Sequence, residues 1–324
     1  MQISNRNKNL KKHVVLSLFD GISCGQVALQ KANIPVKQYL ASEVDKYAIQ
    51  VTQKNYPSTI QLGDVTKITY KDGTLYTENG EYYIGKVDLL IGGSPCQSFT
   101  FAGKREGMVT EENIEITTLE QYLGLKENGF SFKGQSYLFW EYARLLKEVN
   151  PTYFLLENVK MSKHWQDVIT KTVGINPINI NSELLSAQRR NRLYWTNINN
   201  GNIDLPKDKG LLLKDIVREE DNDKYHLTKI HYEAFLKSYK WTPNYLNEKS
   251  KPLLASYYKQ PPHCPYIPCE QSESGYRMLS PIECERLQTL PDNYTDGISK
   301  TQRYKCIGNG WTVDVIAWIL SYLK

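Results

Sequence analysis

The sequence predicts an α/β fold, a Rossmann-like, doubly wound and mostly parallel sheet. Two observations carry that reading. Segments such as "HVVLSLF", "KVDLLIGG" and "PTYFLLEN" are near-continuously apolar, as strands covered on both faces must be. Amphipathic stretches of helical spacing lie between them, so strand and helix alternate. The 324 residues are enough for one large core or two domains.

Taken in order, "HVVLSLF" is the first strand, and "GQVALQKAN" is a helix with Val27, Ala28 and Leu29 inward. "VKQYLASE" is the second strand, followed by a helix in "VDKYAIQVTQKNY". "IQLGDV" is a third, shorter candidate, and "KVDLLIGG" and "PTYFLLEN" flank a helix in "SYLFWEYARLLKEVN". An apolar "LYW" marks a further strand. From Ile203 to Ser274 the alternation stops, and lysine, tyrosine and proline increase. "SPIECERLQTL" then reads as a helix capped by Ser280, with Pro281 at its first position and Glu283 three residues past the cap. "VDVIAWILSYL" is the last helix. The expected organisation is a large domain of residues 1–202 and 275–324 with a smaller domain, 203–274, inserted.

With 40% hydrophobic and 23% charged residues the composition is that of a globular protein. The six cysteines lack the density of a disulfide framework, which points to a reducing, cytoplasmic setting. No stretch reaches the roughly 18 apolar residues of a membrane helix. A net charge of +5 permits nucleic acid as a partner without requiring it.

Ligands in doubly wound sheets sit at the carboxyl ends of strands. The first strand exit carries "FDGISCG", in which Gly21 permits a tight turn. The second ends at Glu43, where an acid can bind the hydroxyls of a ribose. The third ends at Asp64, which can accept from an adenine amino group. The turn lacks both GxGxxG and GxxxxGK[ST], which weakens dinucleotide and triphosphate readings. An adenosine without a phosphate chain fits, and S-adenosyl-L-methionine is such a molecule. The fourth exit carries Pro95 and Cys96, and the fifth carries Glu157-Asn158-Val159. Neighbouring strands would bring Cys96 and Glu157 into one cleft. "QRRNRLYW" adds Arg190 and Arg192, on one face if extended.

The ordered set "SLFDGISCG", "ASEVDKYA", "LGDVT", "GGSPCQSF", "SYLFWEYARLL", "LLENV", "QRRNRLYW" and "RYKCIGNGWTV" resembles the cytosine-carbon-5 DNA methyltransferases. The wording of "SLFDGI", "ASEV" and "IGGSPC" is similar to the animal de novo type and its bacterial and phage relatives. The resemblance implies a class I methyltransferase fold that uses S-adenosyl-L-methionine on duplex DNA. Cys96 would add to carbon 6 of a flipped cytosine, making carbon 5 nucleophilic. Arg190 or Arg192 would favour the thiolate. Glu157 would hydrogen-bond the exocyclic amine and ring nitrogen 3, and Arg192 the base carbonyl. Gln97 and Asn158 would touch the substrate. Phe19, Asp20, Gly21, Ile22, Glu43, Val44, Asp64, Val65, Pro95 and Leu138 would line the cofactor pocket. Asn309, Trp311 and Val313 would close it around the methionine end. Two departures, Ser17 in place of an acid and Ser23 in place of a glycine, match the de novo-type relatives.

From Lys224 to Gln260 seven lysines stand against two glutamates, interleaved with eight aromatic residues. Lysines neutralise phosphates, and aromatics stack on bases or fill a small core. This segment is read as the target-recognition region, with about half its aromatics in the core. Residues 103–133 are expected to form a loop closing over the base. Its acidic middle should fold away from DNA, so that deleting Glu111–Glu120 leaves affinity intact. His263, Cys264, Cys269 and Cys284 match no zinc-finger spacing, and no metal is expected. The readings that compete are a tRNA cytosine methyltransferase of the same fold and a non-catalytic regulator. A cognate restriction enzyme is a possible companion. Abundant Asn, Ile, Lys and Tyr point to an AT-rich bacterial or phage genome.

Overall fold

The computed structural model describes residues 11–95, 107–218, 223–237 and 241–323. In chain order the first elements are β1 (His13–Leu18), α1 (Cys24–Lys31), β2 (Val36–Ser42), α2 (Lys46–Asn55) and β3 (Ile60–Gln61). A small antiparallel sheet follows, made of β4 (Thr69–Lys71), β5 (Thr74–Thr77) and β6 (Gly80–Tyr83). Next come β7 (Leu89–Gly92), α3 (Leu119–Glu127), α4 (Phe139–Val149), β8 (Tyr153–Val159) and α5 (Lys163–Val173). They are succeeded by β9 (Ile178–Asn181), β10 (Asn191–Thr196), α6 (Lys229–Leu236), β11 (Tyr266–Pro268) and β12 (Tyr276–Met278). Helices α7 (Pro281–Leu287), α8 (Lys300–Asn309) and α9 (Val313–Leu320) complete the chain.

The main sheet has seven strands in the order β3-β2-β1-β7-β8-β10-β9. The strands from β3 to β8 run parallel, and β10 is antiparallel to both neighbours. All six residues of β1 are buried, because both of its faces are covered. Alternate residues divide between two cores. Leu16, Leu18, Leu90 and Leu156 face the layer of α3, α4 and α5, whereas Val15, Ile91 and Leu155 face α1 and α9. The predicted capping box at α7 is present, with Ser280 Oγ accepting from Glu283 N and the Glu283 carboxylate accepting from Ser280 N.

Residues 107–133 depart from the expected loop. Met108, Ile116, Leu119 and Tyr122 are buried in the α4 core. Lys126 and the Tyr122 hydroxyl donate to the buried Glu141 at 2.5 and 2.6 Å. Burial pushes Glu141 up, but Arg144, Lys126 and Tyr122 outweigh it and hold the carboxyl below its usual range. Deleting Glu111–Glu120 would therefore remove core residues. Only the exposed acids of this segment, such as Glu111 and Glu112, can be changed without opening the core.

The boundary drawn at Ser274 falls inside the β11–β12 hairpin. Leu213, Phe235, Leu253 and Tyr257 of the smaller region share one core with Met278, Leu287, Tyr304 and Ile307. Of its aromatics, Tyr225, Tyr232 and Trp241 join Phe235 and Tyr257 in or against this core, while Tyr245 and Tyr258 are exposed. Tyr239 lies outside the described residues. Cys264 and Cys284 are buried in the same core, and burial raises their thiols, that of Cys264 to about 12. Among the described residues no group of three or more His, Cys, Asp or Glu is gathered as metal ligands. Nor is any described helix long and apolar enough to cross a membrane.

Candidate active site

At the exit of β1 the chain turns through Phe19, Asp20, Gly21 and Ile22 into α1. Phe19, Gly21 and Ser23 all adopt left-handed backbone, at φ 57, 58 and 56. Glycine does this without strain; at Ser23 the hydroxyl donates to the Asp20 carboxylate. The Tyr39 hydroxyl donates to Asp20 Oδ1 at 2.7 Å. Burial pushes the Asp20 carboxyl up to about 6, against the pull of these hydrogen bonds. Ile22 is buried in the α1 core.

Glu43 follows β2 beside this turn. Its Oε2 accepts from Gly21 N at 2.8 Å, and Oε1 accepts from Val44 N and Asp45 N, each at 2.8 Å. A carboxylate has about four acceptor sites, so capacity remains for a ribose hydroxyl. The Val44 side chain is exposed. Asp64 follows β3, and its Oδ1 caps the short turn begun by Val65, accepting from Thr66 N at 2.9 Å. The Asp64 N–H donates to Glu78 Oε1 at 3.1 Å, a contact with the β5–β6 turn that carries no local sequence signal. Leu138 sits half-buried ahead of α4. The donors, acids and open turn at these exits fit an adenosine-bearing cofactor.

Gly92 pairs with Leu156 across β7 and β8, so the chain leaving β7 through Pro95 emerges beside Glu157. Cys96 and Gln97 lie outside the described residues. Antiparallel pairing sets Arg192 opposite Val159 and Tyr194 opposite Glu157, making Arg192 and Glu157 diagonal neighbours on one face. Arg192 Nε meets Glu157 Oε1 at 2.9 Å, with both side chains largely buried. Trp311 Nε1 donates to Glu157 Oε2 at 3.2 Å.

Three expectations are modified. Arg190 immediately precedes β10. Its guanidinium donates to the carbonyls of Leu253, Gly308 and Gly310 at 2.9–3.1 Å, joining the smaller region to the α8–α9 connection. Asn158 is 1% exposed; its amide donates to Ser94 Oγ and O, and its Oδ1 accepts from Val159 N. It fastens the approach to Cys96 rather than opening toward a ligand. The Val313 side chain is fully buried in the α1–α9 core and its N–H donates to Gln288 O at 2.9 Å, so it starts α9 instead of lining a pocket. Asn309, at the end of α8, is exposed. Helix α8 is tied to α2 through Lys305 and Asp45 at 2.6 Å.

Comparison with known proteins agrees with this arrangement. Residues 14–324 match the family of C-5 cytosine-specific DNA methylases. The chain is 29% identical to the type II methyltransferase M1.ScrFI of Lactococcus lactis subsp. cremoris, over 96% of this chain and 77% of that one. It is 26% identical to the type II methyltransferase M.NlaX of Neisseria lactamica, over 96% of both. The fold is shared with the Entamoeba histolytica methyltransferase EhMeth, at a TM-score of 0.71 and 17% identity over 97% of this chain and 98% of that one. The chain belongs to the C-5 cytosine-specific DNA methylase family, and its activity is methyl transfer to carbon 5 of cytosine in DNA.

Proposed function

We propose that the chain is a sequence-specific DNA (cytosine-5)-methyltransferase in which Cys96 is the nucleophile and Glu157 the carboxyl that receives the base. The Arg192–Glu157–Trp311 cluster beside the exit to Cys96 carries this reading. A cytosine inside a duplex is out of reach, so the target base is flipped into the cleft. The Cys96 thiolate forms a bond to carbon 6, and Glu157 hydrogen-bonds nitrogen 3 and the exocyclic amine, relieving the charge that develops. Carbon 5 then takes the methyl group, the carbon-5 proton leaves, and breaking of the carbon–sulfur bond restores the thiolate. Arg192 orients Glu157 and reaches the base carbonyl.

S-adenosyl-L-methionine, when bound, supplies an electrophilic sulfonium methyl. Glu43 would hold its ribose, Asp64 and Val65 its adenine, and Phe19, Asp20, Gly21, Ile22, Pro95, Leu138, Asn309 and Trp311 the rest. The lysine-rich region within 203–274 would read the target sequence, on DNA in the cytoplasm. The type II naming of the relatives makes a cognate restriction enzyme the companion to look for.

The test is transfer of label from S-adenosyl-L-methionine to duplex DNA and, separately, to tRNA, with Cys96→Ser beside the unaltered protein. Label on DNA that disappears in the variant is expected. Label on tRNA alone would replace the substrate, and no label on either would indicate a regulator.

A further inference from the structure

Glu157 and Trp311 reach the site from different parts of the chain and meet by a hydrogen bond. The indole Nε1–H donates to Oε2 at 3.2 Å while Arg192 Nε serves Oε1 at 2.9 Å. Each carboxyl oxygen thus has its own donor, which fixes a terminal torsion that is otherwise broad. The pair rests on Gly93. A Cβ there would stand 2.9 Å from Trp311 Nε1 and 3.0 Å from Glu157 Oε2, so only bare backbone lets the two close on the exit leading to Cys96. Trp311 is itself clamped. The carbonyl of Gly310 accepts from Arg190 Nη2 and Gln288 Nε2, both at 3.1 Å, and Thr312 Oγ1 donates to Gln288 Oε1 at 2.8 Å.

We propose that Trp311 is a positioning residue for the addition step: its indole N–H sets the orientation of the Glu157 carboxyl toward the cytosine. The proposal rests on the role given above to Glu157. It differs from a wall of the cofactor pocket in a way that can be measured. When the Cys96 sulfur bonds to carbon 6, carbon 5 takes a proton from solvent. Loss of the original carbon-5 hydrogen and breaking of the carbon–sulfur bond then restore cytosine and thiolate. The net change is hydrogen exchange with water, and no methyl donor takes part.

The experiment measures release of tritium from carbon 5 of cytosine in duplex DNA by the full-length protein without S-adenosyl-L-methionine. Trp311→Phe keeps an aromatic ring and loses the N–H; Gly93→Ala keeps the indole and forces the pair apart. Both are expected to exchange about tenfold more slowly, the loss of one hydrogen bond to the Glu157 carboxyl. Trp311 is also placed at the cofactor, so the KM for S-adenosyl-L-methionine can rise in Trp311→Phe; exchange, measured without cofactor, reads the Glu157 role by itself. Combined with Glu157→Gln, Trp311→Phe should add little further loss. Wild-type exchange by Trp311→Phe, or a raised KM with unchanged exchange, would overturn the proposal. Should Trp311→Phe lose its cooperative melt, Gly93→Ala decides. An unaltered protein that neither exchanges nor methylates would overturn the reading of Glu157 and this inference with it.

Discussion

At the scale of single residues, two arginines two positions apart do different work. Arg192 faces Glu157, whereas three hydrogen bonds of Arg190 go to backbone carbonyls in a buried setting. Arg190→Ala leaves those carbonyls short of a donor and is expected to cost about 3 kcal/mol of stability, read by urea unfolding. Arg192→Ala takes one partner from the largely buried Glu157 carboxyl, so it is expected to abolish methyl transfer and also to cost about 1–3 kcal/mol of stability. Full methyl transfer by Arg192→Ala would contradict the role given to it. Asp20 makes a second prediction. Its carboxyl, pushed up to about 6 by burial, holds its proton longer in the fold than in the unfolded chain. Stability from this group is present below the unfolded value near 3.9 and is lost as pH rises through about 6. Asp20→Asn removes that loss, so its stability relative to wild type should rise by about 2–3 kcal/mol between pH 4.5 and 8. Parallel curves for the two proteins would contradict the burial argument.

Among the elements, the segment joining Gly107 to α4 is the one whose composition misleads. Its glutamates read as a solvated loop, yet Ile116 and Leu119 enter the α4 core, and Tyr122 and Lys126 satisfy a buried carboxylate. Ile116→Ala should therefore cost about 2–4 kcal/mol, a core truncation rather than a loop change. A thermal shift below one degree would show that the segment is not packed as described. Charge reversal at Glu111 and Glu112, by contrast, should leave the melting temperature unchanged. The β4–β6 sheet had no counterpart in the sequence reading because its strands are only 3 or 4 residues long. Its consequence for the site is Glu78, which binds the backbone of Asp64.

For the whole molecule, the smaller region and the helices that follow it share one core. Tyr304 and Ile307 of α8 and Leu287 of α7 bury the apolar side of Phe235, Leu253 and Tyr257. A fragment of residues 203–274 alone lacks those partners and should show no cooperative transition by circular dichroism, while the full chain should melt the region together with the sheet. A folded fragment would restore the boundary that composition suggested. The shared core also explains the placement of Arg190, whose guanidinium binds Leu253 on one side and the α8–α9 connection on the other.

The sequence by itself determined the parallel sheet, its alternating helices, the α7 capping box and the acids at the strand exits. Each follows from local periodicity, capping chemistry or position at a strand end, which are properties of contiguous residues. The order of the motifs also led to the expectation of Glu157 and Arg192 in one cleft, and their side chains meet at 2.9 Å. Only the tertiary structure decided that Trp311 binds Glu157, that Arg190 and Asn158 fasten backbone segments, and that Val313 faces the core. These contacts join residues between 63 and 154 positions apart, or turn a side chain inward at an element's end. No local pattern encodes them, because which partner a polar side chain finds depends on how the layers pack around it.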